Sequence, residues 1–229
     1  MGKLKMPKGS PTTDMTPLVD LGFLLVTFFM LSAKFRVAEP VVTDPPYAAT
    51  TDEIPEHYVM VTVSKEGKVF FDMSGKAVRQ SMLELMAEEK YPTLGNLNED
   101  QVNRFLGLGS FGVPVAQLPA YLDADETVRE QMNATTAGIP IDSLNNELAD
   151  WISFAFKAFV ADARDKGWSD AKIKADGLCY AIKADGNTDY KKVEDVIDVF
   201  RKINIFKFNM VANMEKDEGL RATRDEQNK

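Results

Sequence analysis

Apolar and polar positions divide the chain into distinct stretches. Leu18 to Ala33 reads LVDLGFLLVTFFMLSA, apolar around every side of a helix and broken by one charge, Asp20. With Thr16 and Pro17 ahead and Lys34 to Arg36 behind, it predicts a helix over 16–36. At 1.5 Å per residue such a helix spans about 30 Å, the thickness of a bilayer's hydrocarbon core. From 37 to 56 large apolar residues thin out, and Pro40, Pro45, Pro46 and Pro55 predict an extended linker. From 57 to 214 the apolar spacing alternates between strand and helix periods, as in a folded domain. The charged stretch 215–229 predicts a flexible tail.

Within 57–214, Tyr58 to Ser64 alternates as a strand, Lys65 to Lys68 forms a turn and Val69 to Met73 returns as the second arm of a hairpin. A helix follows from about Gly75 to Lys90, with Val78, Met82, Leu85 and Met86 on one face. Residues 91 to about 176 carry further helical patterns. Asn98 with Gln101 is a capping-box start for a short helix through Leu106, Gly107 to Pro119 is loop-like, and Asp123 to Asn133 suits another helix. Asp142 or Ser143 would cap a long helix to about Lys166. Its stripe is Leu144, Leu148, Trp151, Ala155, Phe159 and Ala163, broadened by Phe154 and Phe156. Asp185-Gly186-Asn187 is a turn. Thr188 or Asp189 caps a helix striped by Val193, Val196, Ile197 and Phe200, and Ile205 to Val211 forms a last strand. This order predicts an α+β chain: one N-terminal transmembrane helix, then a small mixed β-sheet with helices on one face and a helical insertion.

Composition narrows the function. The 229 residues carry a net charge of -8 and are 45% hydrophobic, enough for a moderate domain plus an anchor or for two small domains. The acidic balance argues against nucleic acid, which needs clustered Lys and Arg. The single cysteine, Cys179, excludes an internal disulfide and fits a buried small hydrophobe. The single histidine, His57, excludes a His-pair metal site and suits a surface position. Asp185, Asp189, Glu194 and Asp195 fit turn, cap and solvated-helix roles, because no nucleophile, base and orienting group share one constellation. Gly107-Leu108-Gly109 lacks the rest of a phosphate-binding loop. Neither an enzyme, a cofactor nor a metal is expected.

Lys3, Lys5 and Lys8 precede the apolar run, and acidic Glu39, Asp44, Asp52, Glu53 and Glu56 follow it. That asymmetry places the N-terminus (1–15) in the cytoplasm and the bulk of the chain outside. A signal peptide is the competing reading, and Ser32 and Ala33 suit it. Bulky Phe23, Phe28, Phe29 and Met30, followed by Lys34, Phe35 and Arg36, count against cleavage.

Asp20 then needs an explanation, because a carboxylate at membrane depth costs a few kcal/mol and marks function by default. One reading makes Thr16 an N-cap and Pro17 a first-turn proline, leaving Asp20 near the positive end of the helix dipole. The other rests on its stripe, in which Asp20, Phe23, Leu24, Thr27 and Leu31 share a helical face. Removed from water, a carboxyl favours its neutral form and can take up and release a proton.

The stretch Asp14-Met15-Thr16-Pro17-Leu18-Val19-Asp20, with Thr27 downstream, resembles the N-terminal signature of the ExbD/TolR biopolymer-transport family. Ile182-Lys183-Ala184-Asp185-Gly186-Asn187-Thr188-Asp189-Tyr190, then Val193, Val196, Ile197 and the strand from Phe206, is similar to that family's strand, turn, helix and final strand. With the hairpin and first helix, the likeness covers roughly half the chain.

The resemblance implies a homodimer whose transmembrane helices sit within a pentameric ExbB/TolQ-like membrane protein in the bacterial inner membrane. It implies protons as the coupling ion, Asp20 as their carrier, and Pro17, Leu24 and Thr27 as pore-facing or supporting residues. The periplasmic domain would act on a TonB-like protein or the cell wall, with outer-membrane uptake the leading output. The other reading is a membrane-anchored binding or scaffold module for envelope maintenance, with Asp20 only a helix cap. In the family the linker can also pair as a strand, a role open to Val41 and Val42. The insertion at about 91–176 departs from the family pattern, as a helical cap on the sheet or a docking surface for a further partner.

Overall fold

The computed structural model describes residues 15–32, 47–48, 56–142, 145–211 and 213–214. The expected cytoplasmic segment, most of the linker with Val41 and Val42, and the tail lie outside these. The chain divides into two compact units, 1–37 and 38–229.

The first unit holds helix α1, Thr16–Ser32. The second is built on a four-stranded sheet with the order β3-β2-β4-β5, from β2 (Tyr58–Val63), β3 (Val69–Met73), β4 (Cys179–Ala184) and β5 (Asn209–Val211). β2 and β3 form the expected antiparallel hairpin, with Val61 opposite Phe71. Gly67 turns the chain at φ 78°, a left-handed conformation that suits glycine. β4 lies parallel to β2 and β5 parallel to β4, so the sheet is mixed, as expected. The last strand is shorter than the predicted Ile205 to Val211. Asn204 turns at φ 61° and the Ile205 amide donates to Phe200 O, which keeps the chain off the sheet until Asn209. A separate two-residue ladder joins β1 (Tyr47–Ala48) to β6 (Asn213–Met214) in parallel, so part of the expected linker is strand.

Alternation gives the sheet two unlike faces. Val59, Val61, Val63, Val69, Phe71, Met73, Ile182 and Ala184 belong to the hydrophobic core. Tyr58, Met60, Asp72 and Lys183 point the other way and are half-buried. Helix α2 (Lys76–Glu89) contributes Val78, Met82, Leu83 and Met86 to that core, and α8 (Tyr190–Lys202) contributes Val193, Val196, Val199 and Phe200. Both match their predicted stripes, with Leu83 and Val199 taking buried places beside half-buried Leu85 and Ile197. Asp189 caps α8, its carboxylate accepting from the Lys191 amide at 3.1 Å.

The insertion shares this core. α3 (Glu99–Gly107) opens on the complete capping box, with Gln101 N to Asn98 Oδ1 at 2.7 Å and Asn98 N to Gln101 Oε1 at 3.0 Å. The predicted loop ends early, in a short 3₁₀ turn and helix α4 (Leu118–Asp123). α5 runs Glu126–Thr135, capped by Asp125. The long helix α6 runs Glu147–Asp165 and is capped by Asn146 rather than by Asp142 or Ser143; Ser143 and Leu144 lie outside the described residues. An unexpected short helix, α7 (Asp170–Ala175), follows. Phe71, Phe105, Phe111 and Trp151 form one aromatic cluster with ring centroids 5.0–6.2 Å apart. Each such ring buries about 150–250 Å², which makes this cluster a large share of the domain's packing.

Candidate functional site

Helix α1 carries the site the sequence singled out. The first helical residue is Thr16, and the Val19 amide donates to Met15 O at 3.1 Å. Met15, not Thr16, therefore supplies the first capping carbonyl. Pro17 sits in the first turn, where its missing N–H costs nothing. Asp20 is the fifth residue, beyond the first turn, and that turn contains no acidic residue. Cap side chains reach the amides of the second or third helical residue. Asp20 lies C-terminal to those amides, so its carboxylate is not an N-cap.

The surface of α1 is unlike that of a helix bathed in water. Leu18, Val19, Leu21, Phe23, Leu24, Leu25, Val26, Phe28, Phe29, Met30 and Leu31 are each more than half exposed. Apolar character around the whole circumference belongs to a helix surrounded by other apolar matter. Asp20 is exposed and is the one ionisable residue between Thr16 and Ser32. Thr27 is half-buried, and its hydroxyl donates to the carbonyls of Phe23 and Leu24, both at 3.0 Å. Its proton is therefore engaged within its own helix, and its oxygen lone pairs remain as acceptors. Leu24 and Pro17 are exposed with Asp20.

The helix is shorter than expected. Its 17 residues rise about 26 Å at 1.5 Å each, below the roughly 30 Å of a bilayer core. Among the described residues no helix is long and apolar enough to cross a membrane. The remainder of the expected span, from Ala33 to Arg36, lies outside the described residues.

The other candidates lie in the second unit, each with structural neighbours. Asp185 accepts from the Asn187 amide at 2.9 Å, an Asx turn as expected. His57 is half-buried rather than on the surface, its ring 5.5 Å from Phe159 and 5.7 Å from Trp168. Cys179 is half-buried in β4. Burial pushes its thiol up, Lys207 opposing. Among the described residues no group of His, Cys, Asp and Glu is arranged to hold a metal ion.

Two buried charges escaped the sequence reading. Arg79, 4% exposed, ion-pairs with Asp72 at 3.1 Å and donates to the carbonyls of Phe105, Leu108 and Gly109. Burial lowers its pKa and Asp72 acts against that shift. Glu147 accepts from the Val115 amide at 2.7 Å. Arg79 ties the insertion to α2 and the hairpin, and Glu147 ties two of the insertion's own segments together.

The family model for biopolymer transport protein ExbD/TolR matches residues 6–215, nearly the whole chain. No curated protein and no solved structure matches.

Proposed function

The chain belongs to the ExbD/TolR biopolymer transport family, and on that footing we propose that it is a membrane-anchored, proton-driven subunit that energises transport across a bacterial envelope. The observation that carries the reading is α1, an apolar helix exposed on all sides with Asp20 as its only ionisable side chain. In this reading the helix, completed by residues up to 36, anchors the chain in the inner membrane. The N-terminus is cytoplasmic and the α+β domain is periplasmic. Two copies sit within a pentameric ExbB/TolQ-like protein, whose helices cover the apolar surface of α1.

Asp20 takes a proton from one side, becomes neutral and releases it to the other. Each elementary charge moved through 100 mV supplies about 2.3 kcal/mol, so a few protons suffice to drive a conformational cycle. Leu24 and Thr27 continue the Asp20 face, and the Thr27 lone pairs can accept from a water or a partner helix. The chain is a coupling subunit rather than an enzyme, needs no cofactor, and acts outside the membrane on a TonB-like protein or the cell wall. Outer-membrane uptake is the favoured output, and envelope maintenance of the TolR kind is the alternative.

Co-expression with an ExbB/TolQ-like partner tests the assembly. The chain should co-purify as two copies per pentamer, and Asp20→Asn should co-purify equally while gradient-driven uptake is lost. Uptake unchanged in a correctly inserted Asp20→Asn variant would sink the reading. A cysteine at exposed position 65, in a Cys179→Ser background, should be labelled from outside the inner membrane. Labelling that requires entry to the cytoplasm contradicts the topology.

A further inference from the structure

The four-stranded sheet ends in β3 on one side and β5 on the other. β3 is a hazardous end strand. Its sequence, VFFDM, is apolar except for Asp72, whose charge Arg79 pairs, rich in β-formers and free of proline, the pattern that pairs with copies of itself when its backbone is open. The insertion occupies its outward backbone groups at Phe71 and the Val69 carbonyl. Phe71 and Phe111 exchange both amide hydrogen bonds, at 2.8 and 3.0 Å, and the Ile139 amide donates to Val69 O at 2.9 Å.

Both crossings depend on glycine. A Cβ on Gly112 would lie 2.3 Å from the Phe70 ring, and one on Gly138 (φ 91°) would lie 2.5 Å from the Val69 amide nitrogen. Each crossing is also anchored by a cation from the sheet side just ahead of it. Arg79 holds the carbonyls of Phe105, Leu108 and Gly109 before Phe111, and Lys68 Nζ holds those of Asn133 and Ala134 before Gly138. Close approach and anchoring at two separate points make a fitted cover.

We propose that the insertion is an edge guard, which occupies β3 so that a second copy of this chain cannot add a strand there. The sheet then offers other strands only the β5 side.

Hydrogen exchange and light scattering on the full chain in detergent test this. In Gly112→Ala/Gly138→Ala, the segment 68–73 should exchange at least about tenfold faster. Particle mass should rise with concentration to about twice the parent's or more. Lys68→Met, which frees one anchor without crowding any backbone, should shift both readouts in the same direction by less. Gly95→Ala, whose Cβ would meet only Ala87 at an ordinary 3.6 Å, should leave both unchanged. Unchanged exchange in the double variant, or fast exchange with no rise in mass at any concentration, would each overturn the proposal.

Discussion

Replacing Arg79 by Met would take from the Asp72 carboxylate its cation and from three carbonyls the donor that one planar guanidinium now supplies, leaving the Tyr58 hydroxyl on Asp72 at 3.3 Å. Breaking a buried ion pair from one side costs about 3–5 kcal/mol, so urea unfolding of Arg79→Met should show a loss of that order. Arg79→Lys should recover little, because an ammonium cannot fork to Asp72 and the carbonyls of Phe105, Leu108 and Gly109 together. Thr27 makes a finer test. Its hydroxyl proton is bonded to its own helix, so Thr27→Ser should keep gradient-driven uptake. Thr27→Val should lower it, since the acceptor lone pairs go with the oxygen. Equal activity in the two variants would confine Thr27 to packing. Residue by residue, the sequence exposed Asp20 because a charge in an apolar run is conspicuous. Arg79 and Glu147 were hidden because a charged residue on an amphipathic helix looks solvated. Only the tertiary fold brings backbone partners to it. His57 was misplaced for a similar reason, its aromatic neighbours lying about a hundred positions downstream.

At the scale of elements, Asn98→Ala should cost about 1 kcal/mol of domain stability in chemical unfolding, the usual effect of losing a cap. The α2–α6 junction carries a pH dependence. Burial first, then the Asp150 carboxylate that accepts from its hydroxyl at 2.6 Å, holds the Tyr91 phenol above its ordinary value of 10.0. The folded state therefore keeps a proton that the unfolded chain gives up. This contribution is full below about pH 10 and declines as pH rises beyond it. Burial shifts Tyr180 and Tyr121 the same way. Thermal midpoints should fall above about pH 10, and Tyr91→Phe should flatten part of the fall; a decline of equal slope in that variant contradicts the assignment. The elements with strong period were legible. These were the hairpin, α2, α8 and the capping box of α3. The start of α6 was not, because Asp142, Ser143 and Asn146 are all competent caps and tertiary packing chose Asn146. The final strand was read too long because Ile205 and Phe208 pack against the core while their backbone stays off the sheet.

For the molecule as a whole, the insertion, expected as a helical cap on the sheet or a docking surface, packs into the core itself: Phe105, Phe111 and Trp151 share a cluster with Phe71 of the sheet. Excising 91–176 and joining α2 to β4 should therefore leave no cooperative unfolding transition by calorimetry. A sharp transition would show that the sheet and its two flanking helices suffice. Sequence pattern could place these helices but not their partners, since Trp151 and Phe71 lie 80 positions apart. The α+β class and the family were legible from the two ends of the chain. The proposed function turns on Asp20. Its most direct test is proton flux in vesicles holding the chain with its ExbB/TolQ-like partner, under an imposed gradient. Parent complexes should pass protons, and Asp20→Asn complexes of equal assembly should show only the leak of empty vesicles. Undiminished flux through Asp20→Asn would contradict the account.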